Sequence, residues 1–268
     1  MSIPVSSAAL AGICFDAFGT LFDLQPLIAE IDGQAGPGAG HSFVHCMVSW
    51  TWHATAAEQY PPLDEIALTA LAAATRERGV KLENGSAKEL VSRLLQLPLV
   101  HGAAQTLHRV EAAQLALLSN GSQEALKALV HHAGVAQLFR HLLSSDQVRR
   151  FKPAPQVYAL APVAFGVSSD RVLMVSANDW DVAGAGMAGL RTAFVSRGRP
   201  QTFVLGVQPD IVIESLADLP DTLADHGLLD FEPSGATVPG HPLPPGSDYW
   251  GQDKVSADSF PASDPPAW

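Results

Sequence analysis

Short, continuous hydrophobic runs recur along the chain and predict the strands of a buried sheet. They span residues 12–15, 115–118, 172–175, 192–195 and 211–213. Runs of this length without polar alternation are typical of strands that are covered on both faces, as in a parallel sheet. The first three runs are followed directly by Asp16, Ser119 and Ser176.

Segments with helical periodicity lie between these runs. Residues 123–134 and 155–165 carry apolar side chains at spacings of three and four, and the first of these segments stops at Gly134. Strands that alternate with helices predict an α/β fold with a doubly wound, Rossmann-like parallel sheet. Ligands of such sheets bind beyond the carboxyl ends of the strands, which is where the three polar residues fall.

Residues 24–98 interrupt the alternation and are helical in character. Helical patterns cover residues 66–80 and 87–97, whereas the Gly-rich stretch 33–40 predicts a loop. We therefore predict an all-α cap of residues 24–98 inserted over the site. Residues 1–23 and 99–227 then form the α/β core.

The composition changes at residue 228. Pro, Gly, Ser and Asp dominate residues 228–268, and hydrophobic periodicity disappears. Such a segment buries too little apolar surface to offset its ordering entropy, so an extended or disordered tail is predicted. Trp250, Phe260 and Trp268 leave open the alternative that the tail docks onto the core or onto a partner.

Charge and cysteine content narrow the class of protein. The net charge of −11 argues against a nucleic acid partner, because a phosphate backbone would be repelled. Cys14 and Cys46 are too few for a disulfide framework or a multi-Cys zinc site. The N-terminus has no basic segment followed by a long apolar stretch. We expect a cytoplasmic protein with no membrane partner, in which a small anionic substrate must find local donors.

Four short segments could carry chemistry. They are FDAFGTLFD at 15–23, LLSNGS at 117–122, FKPAPQVY at 151–158 and VSANDWDVAGA at 175–185. Asp16 could attack as a nucleophile, Lys152 could keep neighbouring carboxylates ionised, and Asp181 could orient or deprotonate a water. Each residue alone has an ordinary structural interpretation, such as a turn, a helix cap or a surface charge.

One further pattern is rejected. Gly184, Gly186 and Gly189 match the letters of a dinucleotide-binding fingerprint, but the match begins several residues after the strand and lies within a helical pattern. Its backbone amides would not meet a pyrophosphate, so we predict that no dinucleotide binds there. We predict no other cofactor.

The four segments, in this order and spacing, resemble the haloacid dehalogenase superfamily and, more narrowly, the type II 2-haloacid dehalogenases. The resemblance covers most of residues 12–200. The matching positions are Asp16, Phe18, Gly19 and Thr20; Ser119, Asn120 and Gly121; Lys152, Pro153 and Tyr158; and Ser176, Asn178, Trp180 and Asp181.

The resemblance implies a reaction through a covalent ester. Asp16 would displace halide from the α-carbon of a short (S)-2-haloacid, and water would then release a 2-hydroxy acid. Thr20 would hold Asp16, and Ser119 and Lys152 would bind the substrate carboxylate. Asn120 would contact the halide.

The remaining matched residues complete the implied site. Asp181, Asn178 and Ser176 would position the hydrolytic water. Phe18, Tyr158 and Trp180 would contact the substrate. Relatives often form dimers, so a homodimer is expected.

The resemblance also implies that no metal is needed. Phosphatases of the superfamily carry a second Asp where this chain has Phe18, and a magnesium-binding Asp where it has Ala177. Without these carboxylates the site lacks hard oxygen ligands for Mg²⁺. A halide leaving group requires neither a metal nor a proton, so no metal ligand is predicted.

One position departs from the family. Its cap carries an Arg that supports halide departure, and we place the equivalent position at Val44, beside His45; no Arg lies between Asp16 and Arg76. His45, if protonated, could contact the substrate in its place, although His41, His45 and His53 could equally be ordinary cap residues. The alternatives are therefore a hydrolase of another small electrophile, an ester or a phosphate, and a non-catalytic binding protein.

Overall fold

A parallel sheet forms the centre of the computed structural model, which describes residues 9–82, 84–111, 113–199 and 206–228. Its strands are β1 (Gly12–Phe15), β2 (Gln114–Ser119), β3 (His141–Ser144), β4 (Val172–Ser176), β5 (Arg191–Val195) and β6 (Ile211–Ile213). Their order is β3-β2-β1-β4-β5-β6, and every pair of neighbours is parallel. The predicted doubly wound α/β fold is confirmed.

The central strands are buried on both faces, which explains their continuous hydrophobic runs. Side chains alternate between the two faces of a strand, so Ile13 and Phe15 of β1 belong to one hydrophobic cluster while Cys14 belongs to the other. Burial raises the pKa of the Cys14 thiol far above its ordinary value. This cysteine therefore behaves as a small hydrophobic side chain.

β3 was not predicted. It contains two leucines between His141 and Ser144, a run too short to stand out from the surrounding loop. Its pairing with β2, in which Leu117 lies opposite Leu142, defines it as a strand. That pairing is a long-range contact that a local hydrophobic pattern does not reveal.

Helices cover both faces of the core sheet. They are α5 (Ala103–Arg109), α6 (Gln123–His132), α7 (Pro155–Tyr158), α8 (Leu160–Phe165), α9 (Asp179–Met187) and α10 (Leu219–Asp225). The helix predicted over residues 155–165 is interrupted at Ala159. Pro162 has no N–H to donate to the carbonyl of Tyr158, so the helical ladder lacks a bond at this point.

Helices also fill the segment between β1 and β2. They are α1 (Gln25–Ala35), α2 (Ala39–Ala56), α3 (Leu63–Arg76) and α4 (Asn84–Ser92), and a 3₁₀ turn, Arg93–Gln96, follows. We call residues 25–96 the cap. Helices α2 and α3 pack along each other, and α1 packs against α2.

The loop predicted over residues 33–40 is wrong, because helix α1 continues through Gly33 and α2 begins at Ala39. Only Gly36 to Gly38 connect them, with φ values of 95° and 81° at the two glycines. Gly40 serves close packing, since a Cβ at this position would lie 2.5 Å from the carbonyl oxygen of Ile28. The glycines thus mark a tight helix–helix connection and not a long loop.

Two further sequence-based predictions concern the C-terminal tail and the lack of a membrane partner. The predicted tail, apart from Leu228 itself, lies outside the described residues. Within the described part of the chain, no helix combines the length and the apolar character needed to cross a membrane.

Candidate active site

Three neighbouring strands end at the site. β1 lies between β2 and β4, so the residues that follow these strands share one edge of the sheet. Asp16 follows β1, Ser119 ends β2 and Ser176 ends β4. Asp16 therefore occupies the point where the strand order reverses, which is the usual ligand position in doubly wound sheets.

The Asp16 carboxylate is held by donors from three segments of the chain. Its Oδ2 accepts hydrogen bonds from Thr20 Oγ1 at 2.8 Å and from Asn178 Nδ2 at 2.9 Å. Its Oδ1 accepts one from Lys152 Nζ at 3.0 Å. Thr20 Oγ1 itself accepts from the backbone N–H of Ala177 at 2.9 Å. The carboxylate is thus fixed in orientation, while Oδ1 keeps lone-pair capacity for a further contact.

Lys152 is a buried ammonium between two carboxylates. Only 1% of its side chain is exposed, and Nζ lies 3.0 Å from both Asp16 Oδ1 and Asp181 Oδ2. Burial lowers the pKa of Lys152, but the negative charges of Asp16 and Asp181 outweigh this effect and raise the pKa above its usual value. Lys152 therefore stays charged at neutral pH, and the three groups carry one net negative charge when both acids are ionised.

Asp181 lies behind Lys152 and is fully buried. Its Oδ1 accepts a hydrogen bond from Tyr158 OH at 2.8 Å. Burial raises the pKa of Asp181, the charge of Lys152 opposes this, and the charge of Asp16 adds to the increase. Tyr158, whose own pKa is raised by burial and by Asp181, remains a protonated donor.

Two predicted site residues have other contacts than expected. Tyr158 was expected to contact the substrate, but it is buried and its hydroxyl binds Asp181. Ser176 was expected to help position water, but its Oγ accepts from the backbone N–H of Asn178 at 3.1 Å. Neither residue is among those that line the cavity described next. Both instead orient residues that contact Asp16 or Lys152.

A cavity of about 80 Å³ opens in front of Asp16. Its core side consists of Asp16, Phe18, Gly19, Ser119, Asn120, Lys152, Asn178 and Trp180. Its cap side consists of Leu24, which directly precedes the cap, and of the cap residues Val44, Met47, Val48, Thr51 and Leu63. A cavity of roughly 150 Å³ can hold benzene, so this cavity suits a smaller ligand of a few heavy atoms.

Ser119 and Asn120 bring further polar groups to the core side of the cavity. Asn120 Oδ1 accepts the backbone N–H of Lys152 at 2.8 Å, which ties the end of β2 to the segment that carries the ammonium. Ser119 Oγ accepts from Gly121 N at 3.2 Å and keeps its own proton for donation. Asn120 thus supports the backbone of Lys152, and both Ser119 and Asn120 line the cavity.

The cap side of the cavity is apolar. Four of its residues lie on one face of α2, at the spacing of three and four that places side chains on the same side of a helix: Val44, Met47, Val48 and Thr51. The Thr51 hydroxyl donates to the carbonyl of Val48 at 2.6 Å, so its proton is already used. Lys152 is the only cation among the described cavity-lining residues.

The structure does not bring His45 to the site. Each residue advances about 100° around a helix, so His45 points away from the face that carries Val44 and lies exposed outside the cavity lining. The structure therefore places His45, which was expected to contact a substrate, outside the candidate site. Val44, the position assigned to the missing arginine, does line the cavity.

Other neighbours of the site were missed by sequence reasoning. Met47, Val48 and Thr51 could have been found from their helical spacing after Val44, whereas Leu63 is brought in by tertiary packing alone.

Two arginines and a tryptophan contact residues of the site from outside the cavity. Arg197 Nη2 donates to the carbonyl of Thr20 at 3.2 Å, and Arg199 donates to the carbonyl of Ala177. Trp180 contacts Trp52 edge to face, with ring centroids 5.5 Å apart.

The rejected fingerprint glycines have a packing role. A Cβ on Gly184 would lie 2.6 Å from the Tyr158 hydroxyl, and one on Gly186 would lie 2.9 Å from Val207. Both glycines lie inside α9 and not in a strand-to-helix turn. They allow α9 to approach its neighbours closely, so Gly184 and Gly186 both have a packing role.

Comparison with known proteins identifies similar chains. The family model of haloacid dehalogenase-like hydrolases matches residues 10–189. The haloacetate dehalogenase H-2 of Moraxella sp. is 34% identical over 211 residues, which are 76% of this chain and 93% of that protein. The (S)-2-haloacid dehalogenase of Pseudomonas sp. strain YL is 32% identical over 213 residues, 77% of this chain and 91% of that one.

A solved structure has the same architecture. The L-2-haloacid dehalogenase of Xanthobacter autotrophicus, with chloropropionic acid covalently bound, superimposes with a TM-score of 0.75 at 28% identity. The match covers 80% of this chain and 98% of that one.

Proposed function

The chain belongs to the haloacid dehalogenase-like hydrolases, and from that premise we propose that it hydrolyses short (S)-2-haloacids to 2-hydroxy acids through an ester on Asp16. The observation that supports this most is the Asp16 carboxylate, held by Thr20, Asn178 and Lys152 at the cavity wall. The two relatives reported above, which are 34% and 32% identical to this chain, are named a haloacetate dehalogenase and an (S)-2-haloacid dehalogenase.

The first step is an in-line displacement. Asp16 Oδ1 forms a bond to the α-carbon while the carbon–halogen bond breaks, and the halide leaves with the bonding electron pair on the opposite side. This displacement inverts the configuration of the α-carbon. Lys152 and the Ser119 hydroxyl bind the substrate carboxylate, which leaves the halogen toward Asn120 and the cap side of the cavity.

The second step hydrolyses the ester. Water attacks the carboxyl carbon of Asp16. Asp181 does not line the cavity, so the proton of the water reaches it through Lys152, which gives one proton to Asp181 and takes one from the water. The bond between the carboxyl carbon and the substrate oxygen then breaks, the same relay returns a proton to that oxygen, and the 2-hydroxy acid leaves. The Asp16 carboxyl group loses its remaining proton to solvent. The raised pKa of Asp181 makes it a stronger base than an ordinary carboxylate. Asn178, which contacts Asp16 and lines the cavity, is placed to bind the attacking water.

The donor set supports a reaction without a metal. The two carboxylates share the ammonium of Lys152, and the positions that supply further carboxylates in related phosphatases hold Phe18 and Ala177. Among the described residues, no group of three or more His, Cys, Asp and Glu side chains is arranged to hold a metal ion. We expect activity to survive a chelator, measured as halide release with and without EDTA.

A single-turnover experiment in H₂¹⁸O tests the ester. With enzyme in excess over (S)-2-chloropropionate, the label should enter Asp16, because water attacks the carboxyl carbon and not the substrate. Mass spectrometry of the peptide that contains residue 16 measures this. Label found only in the lactate hydroxyl would contradict the mechanism.

The apolar cap side favours a second candidate, the hydrolysis of another small electrophile such as an ester. The cavity offers an anionic substrate one cation, and that cation is already shared by two carboxylates. A panel of haloacetates, both enantiomers of 2-chloropropionate, p-nitrophenyl acetate and p-nitrophenyl phosphate with Mg²⁺ separates the candidates. A cytoplasmic location, a homodimer and the lack of nucleic acid and membrane partners stay predictions.

A further inference from the structure

The cap contacts the core at a second place, away from the cavity. Thr55 lies near the end of α2, and Tyr60 lies in the connection to α3. Both contact the core segment 145–151, which runs from β3 toward Lys152. Neither residue lines the cavity.

Thr55 binds both polar backbone groups of the residue that precedes Lys152. The N–H of Phe151 donates to Thr55 Oγ1 at 3.1 Å, and Oγ1 donates back to the carbonyl of Phe151 at 3.4 Å. A hydroxyl can accept and donate at once. Phe151 is fully buried, so its N–H depends on Thr55 for a partner, while its carbonyl also accepts from Ala154.

Tyr60 holds the same segment through its ring and its hydroxyl. The ring stacks on Phe151, with centroids 4.4 Å apart and planes 25° apart. The hydroxyl donates to Asp146 Oδ1 at 2.7 Å and pairs with Ser145 Oγ at the same distance. The guanidinium of Arg149 lies 5.1 Å from the ring centre, a cation–π distance.

The network continues to the core side of the cavity. Asp146 Oδ2 accepts the N–H of Gln123 at the start of α6, and Ser145 Oγ lies 3.2 Å from the carbonyl of Asn120. Asn120 in turn accepts the N–H of Lys152. The backbone at Lys152 is therefore held from the core by Asn120 and from the cap by Thr55.

We propose that Thr55 and Tyr60 are positioning residues, through which the docked cap places the Lys152 ammonium between Asp16 and Asp181. Lys152 makes two 3.0 Å contacts with a side chain that is 1% exposed, so we expect a shift of its backbone to lengthen at least one of them. The kinetic part of this proposal rests on the proposed function, because it measures attack by Asp16.

The test compares Thr55→Val, which removes the hydroxyl at nearly the same shape, with Thr55→Ser, which keeps it. Misplacement of a reacting group by about 1 Å can cost on the order of a hundredfold. We expect Thr55→Val to lower kcat for halide release about tenfold to a hundredfold with little change in KM. Thr55→Ser should retain most of the activity. Tyr60→Phe, which keeps the ring stacking, should fall between them.

Thr69→Val is the matched control. Thr69 lies exposed on α3 of the same cap, and its hydroxyl only donates to the carbonyl of Glu65. This variant should match the wild type. Equal losses in Thr55→Val and Thr55→Ser, or no loss in either, would overturn the proposal.

The pH profile of kcat separates positioning from general destabilisation. The carboxylates raise the pKa of Lys152, so a displaced ammonium loses part of this support. The alkaline limb of Thr55→Val should then lie at lower pH than that of the wild type, while Thr69→Val leaves it in place. An unmoved limb in a slowed Thr55→Val enzyme would contradict the proposal.

Crystal structures of Thr55→Val and Thr55→Ser decide the question without turnover. In Thr55→Val, at least one of the two Lys152 contacts should lengthen beyond hydrogen-bonding distance. If the wild type releases no halide from any substrate, the proposed function fails while this structural comparison still applies. Unchanged Lys152 contacts in Thr55→Val would overturn the positioning role.

Discussion

The two sides of the cavity differ in almost every physical respect. The core side brings Asp16, Lys152 and Asn178 from separate segments into one hydrogen-bonded cluster. The cap side presents one face of α2, and its single hydroxyl there is bonded within the helix. The core side thus defines the nucleophile and its charge, whereas the cap side defines the shape and polarity that a substrate meets. Substitutions on the two sides should therefore have different kinds of effect.

The largest effect is expected from Asp16→Asn. An amide is a poor nucleophile, and loss of a nucleophile in a covalent mechanism costs about 10⁴-fold or more in kcat. Halide release from (S)-2-chloropropionate measures this, with mass spectrometry to exclude deamidation back to Asp. Asp64→Asn, at an exposed site in the first turn of α3, is the control. Near-normal turnover by Asp16→Asn would rule out the proposed chemistry.

Lys152→Met should have the next largest effect on turnover, and it should also lower the stability of the fold. The substitution leaves two buried carboxylates facing each other without a cation. Breaking a buried charge pair costs about 3–5 kcal/mol in the free energy of unfolding. We expect this loss in urea denaturation, together with a roughly 10³-fold loss of kcat. Exposed Lys88→Met should change neither. A fully stable Lys152→Met protein would show that the cluster is not held by charge.

Alkaline pH should weaken the same cluster reversibly. Burial lowers the pKa of Lys152, but the charges of Asp16 and Asp181 outweigh burial and hold its folded-state pKa above the ordinary value of 10.5. Its contribution to stability is therefore fully present below the unfolded pKa and is lost as the pH rises through the folded pKa. As the pH rises above 10.5, the wild type should therefore lose more stability than Lys152→Met, whereas below this pH the two proteins should respond alike. Parallel losses in the two proteins would contradict this assignment.

The two sides also differ in how well the sequence predicts them. Asp16, Ser119 and Ser176 stand directly after buried strands, so adjacency in a parallel sheet is enough to bring them to one edge. Short motifs around these strand ends then carry Thr20 and Asn178 with them. For this reason the core side follows from local patterns and one fold-level rule.

The cap side depends on tertiary packing instead. Whether Val44 or His45 faces the cavity is decided by the rotation of α2, which follows from its close approach to α1 at Gly40. The contact between Thr55 and Phe151 joins residues 96 positions apart. Neither feature has a sequence motif, since both arise only when the cap is docked on the core.

The smallest predicted effect concerns the leaving group and tests the cap side alone. Val44→Arg would place a cation opposite Asp16, where a halide departs into apolar surroundings. A charge-assisted hydrogen bond contributes about 1.5–3 kcal/mol. Chloride is more strongly hydrated than bromide, so it should gain more from this bond. We expect the preference for 2-bromopropionate over 2-chloropropionate, measured as kcat/KM, to narrow about tenfold.

His45→Arg supplies the matched control for this comparison. It adds the same charge one position along α2, at an exposed site outside the cavity lining. If the added charge acted only at a distance, both variants would narrow the halide preference equally. That result would contradict a direct contact between residue 44 and the leaving halide. If the cap side acts through direct contact, only Val44→Arg changes the preference. The Asp16 ester should form in both proteins, because neither substitution alters the core side.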